Sequence, residues 1–103
     1  MPGDITMDFK KNQTIVVVPR ETFYESLKDG SYRLATIKKI EKDDIGRSYY
    51  VAVDAKGNEY SNIIGGPYEF DSIDYIKKVL IRLANDAKAE AAFLLECAAS
   101  LDA

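Results

Sequence analysis

The sequence predicts an α+β domain: a small curved antiparallel β-sheet, or a partly closed barrel, of about four strands, followed by one long or two shorter C-terminal helices. Three observations carry that prediction. Short alternating or β-branched segments run from residue 14 to residue 64, separated by Asp, Gly and Pro. Gly65-Gly66-Pro67 is the strongest break in the chain. Beyond it, apolar residues recur three and four apart as far as Leu101, the spacing of an amphipathic helix. A chain of 103 residues is one domain and can bury a core without disulfides or metals. Residues 1–12 are expected to be a flexible leader, and 13–103 a single domain with its sheet in 13–64 and its helical part in 71–101.

Residues 14–18, TIVVV, are β-branched throughout and stop at Pro19, which reads as a strand buried on both faces. Phe23, Tyr24 and Leu27 then sit at helical spacing before Asp29-Gly30, predicting one or two turns with a glycine stop. In the second strand, residues 31–41, Tyr32 and Leu34 alternate with Arg33 and Ala35, yet Ile37 and Ile40 lie three apart. A strict strand has period two, so one residue is extra, and a β-bulge near Lys38 would absorb it. Lys42 to Gly46 is a turn. In the third strand Tyr49, Val51 and Val53 share the face expected to meet the core, and Tyr50, Ala52 and Asp54 the other. Asp54 to Gly57 is a hairpin turn with glycine available for positive φ, and Glu59 to Ile64 the fourth strand.

After the break, Asp71 or Ser72 can cap a helix that carries Asp74 in its first turn. Ile73, Ile76, Leu80, Leu83, Ala87, Leu94, Cys97 and Leu101 form its apolar stripe, interrupted by Glu90. About thirty helical residues would span about 45 Å, against a radius of gyration of about 13 Å for a domain of this size. Either the helix breaks at Asn85-Asp86, both better caps than helix-interior residues, or it projects and packs on a second copy. In the second case Ile76, Leu80, Leu83, Ala87, Leu94 and Leu101 are the homo-oligomer interface.

Composition bounds the function. Net charge is −3, so the chain is no generic DNA coater, although a local patch remains open to nucleic acid or to a basic partner. Histidine is absent, which removes the commonest general base and metal ligand. Cys97 is the one cysteine, has no histidine to activate it, and falls on the apolar stripe. No zinc-ligand set, phosphate loop or Ca²⁺ loop is present. We therefore expect no catalytic residue, no metal and no cofactor. The longest early apolar run, Ile15 to Val18, is far short of a membrane span, and the single cysteine favours a reducing compartment, so a cytoplasmic location is expected.

Two groups of residues remain as candidate ligand or partner sites. Arg33, Lys38, Lys39, Lys42 and Arg47 lie near Tyr32, Tyr49 and Tyr50; single-strand binders pair a positive groove with aromatic platforms. The alternative is a solvated sheet face, since tyrosine favours strands, lysine protects edges, and Glu41, Asp43 and Asp44 dilute the charge. With Tyr49 assigned to the core, Lys38, Lys39, Arg47 and Tyr50 are what survives of the group on these strands. The second group is Gly65, Gly66 and Tyr68, where paired glycines let backbone approach a ligand closely; its alternative is a plain sheet-to-helix connection.

The segment LKDGSYRLATIKKIEKDDIGRSYYVAVDAKGNEYSNI, through Gly30, Tyr32, Ile40, Glu41, Gly46, Tyr49 and Gly57, resembles the opening of small phage and plasmid OB-fold proteins that bind single-stranded DNA. The C-terminal half, with DYIKKVLIRL and LLECAASL, resembles phage sponge proteins that sequester the cyclic nucleotide signal of the Thoeris defence system, which also place helices after a small sheet. Both resemblances imply a protein of mobile genetic elements. The expectation is a small non-enzymatic, phage-encoded binding protein that sequesters or blocks a host defence component, either a host protein or a small nucleotide. An OB-like single-stranded-DNA binder working through Arg33, Lys38, Lys39, Arg47 and Tyr50 is the alternative, and an accessory scaffold the third reading.

Overall fold

The computed structural model describes residues 9–86 and 91–101. It has the expected α+β architecture: an antiparallel sheet, curled but not closed, with helices packed on one face. The strands are β1 (Thr14–Pro19), β2 (Arg33–Lys42), β3 (Ser48–Asp54), β4 (Glu59–Ser61) and β5 (Tyr68–Asp71), in the spatial order β4-β3-β2-β1-β5. Helix α1 (Phe23–Asp29) lies between β1 and β2, and α2 (Ile73–Asp86) and α3 (Ala91–Ser100) follow β5.

β1 organises both cores because its side chains alternate across the sheet. Val16 and Val18 point to the helices, where they join Leu27, Ile76, Leu80 and Leu94. Ile15 and Val17 point to the concave face, with Phe9, Ile37, Ala52 and Phe70. All four of these β1 residues are at most 1% exposed, so the strand is buried on both faces as its sequence predicts.

The local signals operate as chemistry requires. Gly30 ends α1 at φ 76°, and its own N–H returns to the Ser26 carbonyl. The bulge is present: β2 and β3 pair up to Ile37↔Ala52, skip Lys38, and resume at Lys39↔Val51. Two hairpin turns share one design. Asp43 and Asp54 each accept backbone N–H groups from two and four residues ahead, at 2.8–3.1 Å. Gly46 and Gly57 take the left-handed position at φ 85° and 88°.

Several expectations need correction. Residues 9–12 belong to the domain rather than to a leader: Phe9 is buried against Tyr50, and the Asn12 N–H donates to the Ile37 carbonyl at 2.8 Å. A further strand, β5, lies beyond the sheet expected in 13–64; it returns beside β1 with Val17↔Phe70 and Pro19↔Tyr68 in register. β3 is buried on both faces at its centre: Val51, on the face expected to meet the core, is 4% exposed, and Ala52 lies in the concave core with Tyr50 packed against it, while Tyr49 and Val53 are only half-buried. The bulge pairs Ile37 with Ala52, so that these two share the concave side.

Ser72 caps α2, its hydroxyl accepting the Tyr75 N–H at 3.1 Å. The helix ends at Asp86, and α3 folds back, so that Leu94, Ala98 and Leu101 share one core with Ile76 and Leu80. This overturns the assignment of Ile76, Leu80, Leu94 and Leu101 to an intermolecular interface: each is at most 8% exposed within its own chain. Leu83 packs against the same cluster, and Ala87 lies outside the described residues. Among the described residues no helix is long and apolar enough to cross a membrane.

Candidate functional site

The strands at the two edges of the sheet, β4 and β5, are not hydrogen-bonded to each other, yet the sheet curls until they face each other across its concave side. The Tyr60 ring of β4 meets the Tyr68 ring of β5 edge to face, 5.1 Å between centroids. Register places the neighbouring side chains. Val17↔Arg33 and Pro19↔Tyr68 put Arg33 and Tyr68 on the concave face, and Ala52↔Tyr60 puts Tyr60 there too. All lie at one end of the half-barrel, the end where β1 stops and β2 begins, and the mouths of barrels are common ligand positions.

Three clefts run together at this seam. One, of about 620 Å³, is walled by Arg20, Glu21 and Thr22 on one side and Gly65 to Tyr68 on the other. A socket of about 200 Å³ follows, between Pro19, Ser31, Arg33, Tyr60 and Tyr68. The third, of about 400 Å³, reaches from Arg33 and Tyr60 over the hairpin turn to Lys56 and Asn58. Pro19 and Tyr68 are common to the first two, Arg33 and Tyr60 to the last two.

Two guanidinium groups serve this surface, and neither is paired with a carboxylate among the described residues. Arg20 donates Nη1–H to the Gly66 carbonyl at 2.9 Å and Nη2–H to the Tyr68 carbonyl at 3.0 Å. Its backbone N–H also donates to the Pro67 carbonyl at 2.8 Å, so the loop is held by one residue at three points. Arg33 donates to the Ser31 and Tyr32 carbonyls at 2.9 and 3.1 Å. Neutral acceptors orient a guanidinium while leaving its positive charge uncompensated. Gly66 is required for the tight loop, since a Cβ there would lie 2.8 Å from the Ile63 Cγ2 atom.

The acids at the seam are themselves occupied or peripheral. Asp54 accepts from the Lys56 and Asn58 N–H groups, from Asn58 Nδ2 at 3.1 Å and from the Tyr60 hydroxyl at 3.0 Å. Desolvation opposes ionisation of that carboxyl, but the Asn58 and Tyr60 hydrogen bonds hold it below the usual range. Burial, and then the hydrogen bond to Asp54, pushes the Tyr60 phenol up, so it stays a neutral donor and its ring is fixed. Glu21 is exposed on the wall of the cleft that carries Arg20.

The two groups of residues selected from the sequence are therefore rearranged. Arg33 leaves the lysine-rich group and joins Gly65, Gly66 and Tyr68 at the seam. Lys39 pairs with Glu41 at 3.1 Å, and Arg47 with Asp43 at 2.8 Å, both on the solvated β2–β3 hairpin. Lys38 is the bulge residue and is exposed. Tyr50 is no platform for a ligand: its ring packs edge to face on Phe9, and its hydroxyl accepts the Phe9 N–H at 3.2 Å. Tyr32 packs into the helix-side core, where burial and then Cys97 push its phenol up. The solvated-face reading thus describes Lys39 and Arg47.

Arg20 and Tyr60 were not singled out from the sequence. Their signal is positional: Arg20 follows the end of β1 and meets Gly65-Gly66-Pro67 only through the β1–β5 pairing, and Tyr60, in the middle of the three-residue β4, meets Tyr68 only because the sheet curls. No family model matches this sequence, and comparison with curated proteins and with solved structures gives no match either.

Proposed function

We propose that this protein is a stoichiometric, non-enzymatic binding module that sequesters a small anionic ligand with a planar ring, a nucleotide, at the β4–β5 seam. The observation that supports this reading is Arg33 lining one socket with the crossed rings of Tyr60 and Tyr68, beside the cleft that carries Arg20, with neither arginine paired to a carboxylate among the described residues. An arginine meets phosphate with a planar fork of donors, and a tyrosine face stacks on any base. A compact groove suits a small ligand better than a long strand. The lysines and arginine that would have tracked a strand's backbone along β2 and β3 are neutralised in part by Glu41 and Asp43. Sequestration of a nucleotide signal is the role implied by the resemblance to phage sponge proteins, and it requires retention of the ligand rather than turnover.

Thermal unfolding across a panel of mononucleotides, cyclic nucleotides and short oligonucleotides tests the reading. A ligand that binds only the folded chain raises the melting temperature. Stabilisation by a nucleotide, abolished by Tyr68→Ala, is the expected outcome, with the ligand recovered chemically unchanged. A melting temperature unmoved by the whole panel at low salt refutes it. Affinity that grows with oligonucleotide length and falls steeply with salt would instead establish the single-stranded-DNA alternative.

A further inference from the structure

We infer that the helix-side edge of β5 is a second binding site, for a guanidinium group, independent of the seam on the strand's other face. β5 is an edge strand, and its side chains alternate across the sheet. Tyr68 and Phe70 belong to the concave face, while Glu69 and Asp71, paired with Val18 and Val16, point to the helices. Two carboxyl groups thus stand two residues apart on one face. Neither makes an ion pair among the described residues, and Lys78 of α2 is taken by Asp74 at 3.4 Å. Asp71 is 4% exposed, and its Oδ2 accepts no hydrogen bond among the described residues. Buried polar atoms are almost always satisfied, so an orphan at this depth, beneath a second carboxyl group, points to a ligand.

The surroundings select the chemistry of that ligand. Tyr24 of α1 and Tyr75, in the first turn of α2, are both exposed. Tyr75 stands where the charges of Asp71, Tyr24, Glu69 and Arg82 all reach it; burial and then Asp71 push its phenol up. β1 contributes only Val16 and Val18 beneath the two acids. Arg82, exposed and two turns along α2 from Tyr75, is the one cation in that set. Carboxylates attract a cation, tyrosine faces stack on a planar one, and a guanidinium fork matches carboxylate oxygens. A divalent metal is poorly served, since no three metal-ligating acids or cysteines gather among the described residues. The fork meets Glu69 first, at the surface, and Asp71 beneath it. Burial, and then Glu69, hold a proton on Asp71 near neutrality. The guanidinium brings the positive charge that this proton supplies in the free protein. As it binds, the Asp71 O–H bond breaks, the proton leaves to solvent, and the carboxylate remains.

NMR titration of the full chain with acetyl-Gly-Arg-Gly-amide, and with the citrulline peptide as its uncharged control, decides the matter. At millimolar concentration the arginine peptide should shift the amides of Glu69 to Tyr75 and the Tyr24 ring, and the citrulline peptide should not. Because binding releases a proton, affinity should rise about tenfold between about pH 6.5 and about pH 8.5 and level off above. The Asp71 carboxyl carbon should titrate at lower pH in the complex than in the free protein. This pH dependence needs no variant to fold. Glu69→Gln should cost at least tenfold in affinity and Tyr75→Ala severalfold. Asp71→Asn should leave weaker binding that no longer varies with pH, and Arg82→Gln should leave affinity equal or higher. Methylguanidinium separates the sources: affinity equal to the peptide's assigns the site to free guanidinium compounds, and tighter peptide binding to an arginine of a polypeptide. No shift at these residues, equal binding of the citrulline peptide, or an affinity that does not change with pH overturns the inference.

Discussion

Asp71→Asn should change how stability depends on pH. Asp71 is 4% exposed and faces the helix layer from β5, since it is paired with Val16. Its Oδ2 has no hydrogen-bond partner among the described residues. Burial foremost, then the hydrogen bond and the charge of Glu69, push this carboxyl up to about 8. The unfolded value is about 3.9. The folded chain therefore holds a proton near neutrality that the unfolded chain releases. By linkage, stability is greatest below about pH 4, falls as pH rises towards 8, and is level above that. A gap of about four pH units, at 1.36 kcal/mol each, gives on the order of 5 kcal/mol across the window. That rivals the whole stability of many domains of this size, about 5–15 kcal/mol. The neutral asparagine removes the linkage and can still donate to Glu69. Melting curves from pH 5 to pH 9 should show the wild type falling by about 20 °C at full effect. The variant should change little and be the more stable protein above pH 8. A wild-type melting temperature that is level from pH 5 to pH 9, or an equal fall in the variant, refutes a buried protonated Asp71.

Three other perturbations separate packing from backbone effects. Leu80→Ala empties a fully buried position in the helix-side core and should cost about 2–5 kcal/mol in urea unfolding; a cost below about 1 kcal/mol would mean that α2 does not close that core. Gly30→Ala meets both a positive φ of 76° and the Phe93 Cζ atom 3.2 Å from the new Cβ, whereas Gly46→Ala at φ 85° meets open space. Both should lose about 1–2 kcal/mol of backbone preference, and Gly30→Ala should lose more; the reverse order would show that α3 does not rest on Gly30. Tyr50→Phe removes the acceptor of the Phe9 N–H and should cost about 0.5–1.5 kcal/mol, with faster tryptic cleavage at Lys10 and Lys11; unchanged cleavage would argue against anchoring of residues 9–12 by that hydroxyl.

What the sequence revealed and what it hid divide on physical lines. Interactions local in the chain were legible: the β-branched run of β1, the Gly30 stop, the two Asp-x-x-Gly turns, and the bulge at Lys38 read from one extra residue in a period-two pattern. The helix break was half legible, because a length argument set limits on the helix and Asn85-Asp86 marked its end. Long-range pairing was not legible. β5 is only four residues, and its alternation of Tyr68 and Phe70 with Glu69 and Asp71 coincides with the acidic approach to a helix cap. Without β5, the end of β1 has no reason to meet Gly65-Gly66-Pro67, so Arg20 and Tyr60 carried no signal. The second buried face of β3 was missed for a related cause. Val51 is buried as its apolar face suggests, but the Tyr50 ring also packs on Phe9 and Ala52 lies in the concave core.

The seam also follows from how unevenly this fold distributes its stability. β1 is buried on both faces and paired on both edges, so it opens only when the whole domain does. β4 has three residues and β5 four, and each is paired along one edge only. Such strands carry few buried contacts, and local opening starts where stability is lowest. A ligand that bridges Tyr60, Tyr68 and the two arginines would span four strands at this end of the sheet and supply the closure that the β4–β5 edges lack. Its stabilising effect should therefore be unequal. Amide exchange at Tyr60, Ser61 and Tyr68 to Phe70 should slow on binding, while the amides of Ile76 to Leu80, whose opening is tied to the helix-side core, should slow only as far as global stability rises. Uniform protection across both sets would place the ligand away from the seam.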